Sequence, residues 1–550
     1  MRIKAAFLFL LSSFFISCGA DAPVILSIDP KIGRMGDFIT LKGKNFGESN
    51  EESYVTIAGI SPTSSSYHSW QDNTIIVRVP ELGDSGLVYV HSRGKKSNGV
   101  LYSNSITIPK PVEGEEFGLD PRITSINPQT GAPGSIITIT GSNFGVSREL
   151  SLKTTSGIFF SWDYESGAFN PFAVREPEYI EVSETELGYE SWNAREIRIR
   201  LPDGAVSGNF EIRTPHGRSR PMFFDVTGKP GVKTFKDKRI YTINYSVDIK
   251  VLEAARPNTL YLWIPKPASS PSQRNARVIS RNAEPFIENH RGVSLYKIDN
   301  LAAGANHSIN LSYRVETYSV ETNIRPQSAR QETTPLSALY TQNTAFIPSD
   351  DSQIKTAANT ITGREQNPYQ KAKMIYDWLL LNIKITNDSA PSGPVAAFEQ
   401  KKGDSYAAAL LFTAMTRAAG VPCIPVAGVY IDHNGQTVRH YWAEFWLNGF
   451  GWVPVDPAMG AGAVSFAASL EDAYNSLGIN PADYYFGNID NQRIAFSRGD
   501  ILLSQMENRG RIVSHSQSYS LQNIWEEAAG GLESYTSLWG DIIISGIYNQ

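Results

Sequence analysis

The chain has 550 residues, which at roughly 150 residues per domain implies three to five domains and excludes one compact core. It is 41% hydrophobic, 19% charged and 11% aromatic, enough apolar surface to order its domains and exclude global disorder. Fifty Lys and Arg stand against 55 Asp and Glu, a net charge of -5 with no long block of either sign, so the electrostatic footprint of a nucleic-acid binder is missing.

The first segment, MRIKAAFLFLLSSFFISC, opens with Arg2 and Lys4 and continues with an apolar run from Ala5 to Ile16. That length suits the apolar core of a signal peptide rather than a membrane span. Ser17 before Cys18, with Gly19 and Ala20 after it, resembles the lipobox of bacterial lipoproteins, although Phe15 stands where leucine is usual. The resemblance implies a signal peptide over 1–17, acylation of Cys18, and a lipid-anchored protein of the bacterial cell envelope, periplasmic or surface-exposed. An ordinary secretory peptide or a short membrane anchor would also export the chain. Cys423 is the other of the two cysteines; it has no expected disulfide partner, and a Cys-rich metal cluster is excluded.

Next comes an internal repeat. Pro30/Pro128, Gly33/Gly131, Gly36/Gly134, Gly43/Gly141, Asn45/Asn143 and Phe46/Phe144 share one offset of 98 residues (128 − 30). Further on, Trp70/Trp192, Ile75/Ile197, Val77/Ile199, Pro80/Pro202 and Gly86/Gly208 share an offset of 122 (192 − 70). The second copy therefore carries an insertion of 24 residues (122 − 98). Each copy alternates apolar and polar residues between Gly, Pro and Asn, which reads as strands and turns of a small β-sandwich. The two motifs resemble immunoglobulin-like IPT/TIG domains, over 23–109 and 119–228. Their glycines fit tight turns and the Phe would plug the sandwich edge. The insertion, around Gly157 to Gly188, holds Phe159, Phe160, Trp162, Tyr164, Phe169, Phe172 and Tyr179, with Tyr189 beside it. These aromatics are read either as a local mini-core or as a ligand platform.

A third β-sandwich-like domain is read over 236–325 from RIYTINYSVDIKVL, NTLYLWIPKP, GVSLYKIDNL and HSINLSYRVETYSV. After Pro335 the pattern turns helical over Ser352 to Ile361 and Tyr369 to Ile383, and an α+β domain begins. Ala407, Leu411, Ala414 and Ala418 then mark one apolar helix face, started by Gly403-Asp404-Ser405 and stopped by Gly420 and Pro422. Strand-like runs Ile424 to Ile431 and Val438 to Trp446 flank a turn containing His433 and Asn434-Gly435. On the second run His440, Trp442 and Glu444 alternate onto one face, and the following run, Gly451 to Asp456, brings Asp456 alongside.

The order G-x-(C) at a helix start, H-x-W-x-E on a strand and G-W-x-x-x-D-P on the next resembles the transglutaminase-like core of the papain-like cysteine enzymes, over 337–490. Arg417 to Pro422 and Tyr376-Asp377-Trp378-Leu379 match as well. The resemblance implies a thiolate nucleophile on the helix, a proton-shuttling His440, an orienting Asp456 and no cofactor. Here Ser405 stands at the cysteine position. Helix-end electrostatics of up to ~2 kcal/mol shift a pKa by about 1.5 units, which helps a thiol and hardly affects an alcohol.

Either Asp404 or Ser405 is expected to cap the helix, and Cys423 to lie at its far end, too distant to replace the nucleophile. No spacing of His433, His440 and Cys423 indicates a metal. The leading expectation is a protein or peptide ligand held without chemistry in a cleft of Ser405, His440, Trp442 and Glu444, with the sandwiches as stalk or adhesive module. The alternatives are a working Ser405-His440-Asp456 triad acting on amides or esters and a structural spacer. Residues 491–550 form a C-terminal extension without a reading.

Overall fold

The computed structural model describes residues 22–549 apart from 35, 50–52, 81–84, 105–119, 146–155, 166–177, 184–185, 187, 229, 291, 387–392, 433, 463–477, 501–502, 504, 508, 514 and 516–523. Cys18, His433, Phe169 and Phe172 lie outside the described residues. No described helix is long and apolar enough to cross a membrane.

The chain is a multidomain protein in which a mostly β N-terminal region precedes a domain of helices and strands. Strand Phe38–Lys44 illustrates the sandwich grammar: Ile39 and Leu41 are buried while Phe38 and Lys42 face solvent, the two-residue period of a half-buried strand. In the repeated motif the rings of Phe46 and Phe144 occupy the space that a Cβ on Gly43 or Gly141 would need. The turn itself is made at Asn45 and Asn143 (φ 60° and 62°) and at Gly47 and Gly145 (φ 71° and 83°).

The two sandwiches are not separate beads. Tyr189–Trp192 of the second pairs with Gly99–Asn104 of the first, through Ser191 opposite Val100 and Trp192 opposite Gly99. Leu87, Tyr89 and Leu101 of the first sandwich join the core of the second. Each edge strand thus satisfies the other's backbone groups. The insertion supplies strands Gly157–Trp162 and Glu178–Glu181, with Phe160 and Trp162 buried. The described part of it is neither a separate mini-core nor a ligand platform, since its buried aromatics belong to the larger core of the second sandwich.

The third β unit is organised by one strand of 35 residues, β1 (Gly231–Pro265). Its buried Tyr241, Ile243, Tyr245, Val247, Ile249 and Val251 keep a strict two-residue period. Along its length β1 changes partners: β2 (Asn306–Ile324) pairs with its first half and Val293–Asp299 with its second. Part of the segment beyond 490 completes this unit, because Trp525–Trp539 and Ile543–Asn549 also pair with β1.

In the last domain α1 (Ser352–Thr362), α2 (Pro368–Asn382) and α3 (Ser405–Ala418) pack on a four-stranded antiparallel sheet. Its strands are β3 (Cys423–Ile431), β4 (Thr437–Leu447), β5 (Gly451–Val455) and β6 (Arg493–Arg498), in the order β5-β4-β3-β6. The sheet therefore continues past 490. The sequence gives α3 one apolar face, but every residue from Tyr406 to Arg417 is buried, because α3 is the central helix. Even Arg417 is inside, paired with Asp500 at 2.7 Å and donating to the Cys423 carbonyl at 2.8 Å.

The opposite face of this sheet is covered as well. Val426, Trp442, Ile489 and Ala495 share one core with Phe160, Trp162 and Phe210 of the second sandwich and with Phe235 and Tyr318. Two partly buried ion-pair groups lock the contact. Asp203 accepts both Lys233 Nζ (2.7 and 2.8 Å) and the Trp452 N–H (3.2 Å). Arg498 bridges Glu186 and Glu444, each at 2.5 Å.

Candidate functional site

The start of α3 is set by small residues and a cap. Gly403 is buried where a Cβ would lie 2.8 Å from that of Ala407, so a side chain there would push the first turn away. Asp404 is the N-cap, its Oδ1 accepting the Ala407 N–H at 2.9 Å. That settles which of the two candidates caps the helix. Burial pushes the Asp404 carboxyl up, partly offset by backbone N–H groups and by the nearby charge of His440. Ser405 is the first helical residue and is half-buried.

His440 and Asp456 meet directly. Strand alternation puts His440 and Trp442 on one face of β4, and the pairing of β4 with β5 brings the end of β5 beside them. His440 Nε2 lies 2.6 Å from Asp456 Oδ2. Asp456 is completely buried and caps the short helix Pro457–Gly460, its Oδ1 accepting the Met459 N–H at 3.0 Å. Burial alone would raise its carboxyl. The charges of His440 and Arg493, with hydrogen bonds from His440 and Met459, outweigh that and hold it at about 2. An ionised carboxylate only accepts, so His440 Nε2 carries the proton and Nδ1 is the free ring nitrogen. Among the described residues neither His440 Nδ1 nor the Ser405 hydroxyl has a hydrogen-bond partner, and no hydrogen bond joins Ser405 to His440. At the helix start, Asp404 is electrostatically coupled to His440.

Trp442 and Glu444 do not line an open cleft. The face of β4 that carries them is the face covered by the second sandwich and β2, and Trp442 is only 4% exposed. Trp442 stacks beside His440, ring centroids 6.2 Å apart, and Glu444 is held by Arg498. Both border a small cavity with Gln273, Tyr318 and Arg493. Cys423 lies at the far end of α3, fully buried, its Sγ 3.8 Å from Thr413 Oγ1 and its thiol pushed up to about 12 by burial. Among the described residues no group of three or more His, Cys, Asp and Glu side chains is placed to hold a metal ion.

Sequence reasoning missed Arg493. Its Nη1 donates to Asp456 Oδ2 at 2.6 Å and its Nη2 to Asp490 Oδ2 at 2.6 Å. No motif marks it, since its role arises only when β6 pairs with β3, placing Arg493 opposite Tyr430.

Two family profiles agree with this architecture. The profile of the transglutaminase-like superfamily matches residues 355–457, and that of the IPT/TIG domain matches 23–108 and 121–157. An uncharacterized protein of Haemophilus influenzae (strain ATCC 51907 / DSM 11121 / KW20 / Rd) is 28% identical over 185 residues, 29% of this chain and 49% of that protein. The chain thus spans about half the length of this curated relative. A solved structure of a candidate cysteine protease from Cytophaga hutchinsonii is 14% identical, covering 58% of this chain and 93% of that one with a TM-score of 0.38. The periplasmic domain of TgpA from Pseudomonas aeruginosa is 14% identical, covering 43% and 92% with a TM-score of 0.25. By its matched segments and its sheet order, the chain carries IPT/TIG sandwiches followed by a transglutaminase-like domain.

Proposed function

We propose that this is an exported, lipid-anchored protein of the bacterial cell envelope whose transglutaminase-like domain binds a peptide or protein without turning it over. The observation that carries the reading is Ser405 at the first turn of α3, in the position where the chemistry of this fold requires a thiolate. A helix terminus lowers a pKa by about 1.5 units at most, which leaves an alcohol fully protonated. Export and anchoring rest on the segment ending at Cys18.

A second reading, acyl transfer or hydrolysis by Ser405 with His440 as base and Asp456 as orienting acid, is favoured by one observation. The Ser405 hydroxyl and His440 Nδ1 are both without a partner among the described residues, while Asp456 already fixes the other ring nitrogen. Hydrolysis and amine incorporation on a panel of glutamine-bearing peptides separate the two, with wild type, Ser405→Cys and His440→Ala compared. Binding without chemistry predicts activity only in Ser405→Cys. Wild-type activity abolished by His440→Ala would instead establish the serine mechanism.

A further inference from the structure

The oxygen of Asp456 that faces His440 is shared. Oδ2 accepts His440 Nε2 and Arg493 Nη1, both at 2.6 Å, while Oδ1 takes the Met459 N–H. Arg493 is itself fixed on its other edge, where Nη2 and Nε donate to the two oxygens of Asp490 at 2.6 and 3.3 Å. Asp490 is held in turn by the Tyr485 hydroxyl at 2.9 Å and the Gln492 N–H at 2.9 Å. The guanidinium lies near three rings, 5.3 Å from the centroid of Trp442 and 5.7 Å from those of Tyr430 and Tyr485.

From this geometry we infer that Arg493 is a positioning residue for His440, acting through Asp456. The inference rests on the reading that Ser405, His440 and Asp456 occupy the triad positions of this domain, whether or not Ser405 itself reacts. Arg493 lies outside the segment that matches the transglutaminase-like profile, so this chain supplies the clamp from a later strand.

The charge balance explains why a guanidinium is needed. Two carboxylates, the fully buried Asp456 and the mostly buried Asp490, flank one buried cation, so Asp490 and Arg493 neutralise each other and Asp456 keeps its charge for His440. The planar fork of Arg reaches both carboxylates at fixed angles, which a lysine ammonium does not. Without the fork, two buried carboxylates would face each other and one would take up a proton. A protonated Asp456 donates rather than accepts, and the neutral form of the His440 ring would then carry its proton on Nδ1, leaving no lone pair there. Other ionisable groups around this pair are Asp404 at the start of α3 and Tyr376 on α2, both electrostatically coupled to it, and Tyr430 on β3, its ring centroid 6.1 Å from that of His440.

The test uses the full chain carrying Cys18→Ser and Ser405→Cys, with the pH profile of iodoacetamide alkylation as readout; Cys423 is buried and silent. An oriented His440 lowers the midpoint of the introduced thiol. Adding Arg493→Met should raise that midpoint by about one to two pH units. Arg493→Lys should raise it nearly as far, since charge without the fork does not position Asp456. An unchanged profile in Arg493→Met, or full retention in Arg493→Lys, overturns the inference. If His440→Ala also leaves the profile unchanged, the reading of the site beneath the inference fails, and the inference with it. Should the Arg493 variants not fold, ¹⁵N spectra of the wild-type histidines decide. The proton of the neutral His440 ring is expected on Nε2, and a proton on Nδ1 overturns the clamp.

Discussion

Asp456 concentrates the electrostatics of the site in one side chain with no solvent contact. Its carboxyl is held at about 2 against an ordinary value of 3.8. Because the folded value is the lower one, the stabilisation is fully present above pH 3.8 and drains away as pH falls towards 2. The difference corresponds to about 2 kcal/mol. Urea unfolding of wild type and Asp456→Asn between pH 5 and 2 should show the wild type losing about that much more. Cys423 has the opposite sign. Its thiol is raised to about 12 by burial, so the fold favours the neutral form and loses stability as pH rises above 9. Iodoacetamide at pH 8 should leave Cys423 unmodified in the native chain and alkylate it in urea; rapid native labelling would contradict its placement between Thr413 and Arg417.

The start of α3 shows what one element takes from local sequence. Asp404 makes the cap and Ser405 does not, so Asp404→Ala should cost about 1 kcal/mol and Ser405→Ala less than about 0.5 kcal/mol in denaturant unfolding. Equal costs would contradict the cap assignment. This helix start, the Asp432 to Gln436 turn and the alternation of His440, Trp442 and Glu444 were all legible in sequence, because each is set by neighbours within a few residues. The burial of α3 on every side was not, since helix periodicity reports one face and says nothing of what covers the other. Arg493 escaped for a related reason: a lone arginine between Gln492 and Ile494 acquires meaning only from the register of β6 on β3. Likewise, the long strand β1 was read only in pieces, and its C-terminal partners lie more than 250 residues away.

At the scale of the whole molecule, the sandwiches and the transglutaminase-like domain behave as one packed body, with a shared core and partly buried ion pairs across the junctions. The repeat in the sequence marked the sandwiches, yet the fusion of their sheets depends on edge strands whose sequence carries no record of a partner. Lys233→Met removes the cation that compensates the buried Asp203, at an expected cost of about 3–5 kcal/mol. The loss should appear in a single unfolding transition reported both by the Trp162 environment and by the transglutaminase-like core; a loss confined to one transition among several would contradict the shared core. The placement of Ser405 at the first turn of a buried helix, in a domain that keeps an intact His440-Asp456 pair, is what the functional account turns on. Labelling with a serine-directed acylating probe tests it most directly, comparing wild type with Ser405→Ala. The account predicts no labelling above background in either protein, whereas labelling of wild type that disappears in Ser405→Ala would show that Ser405 is a nucleophile and that the domain performs chemistry.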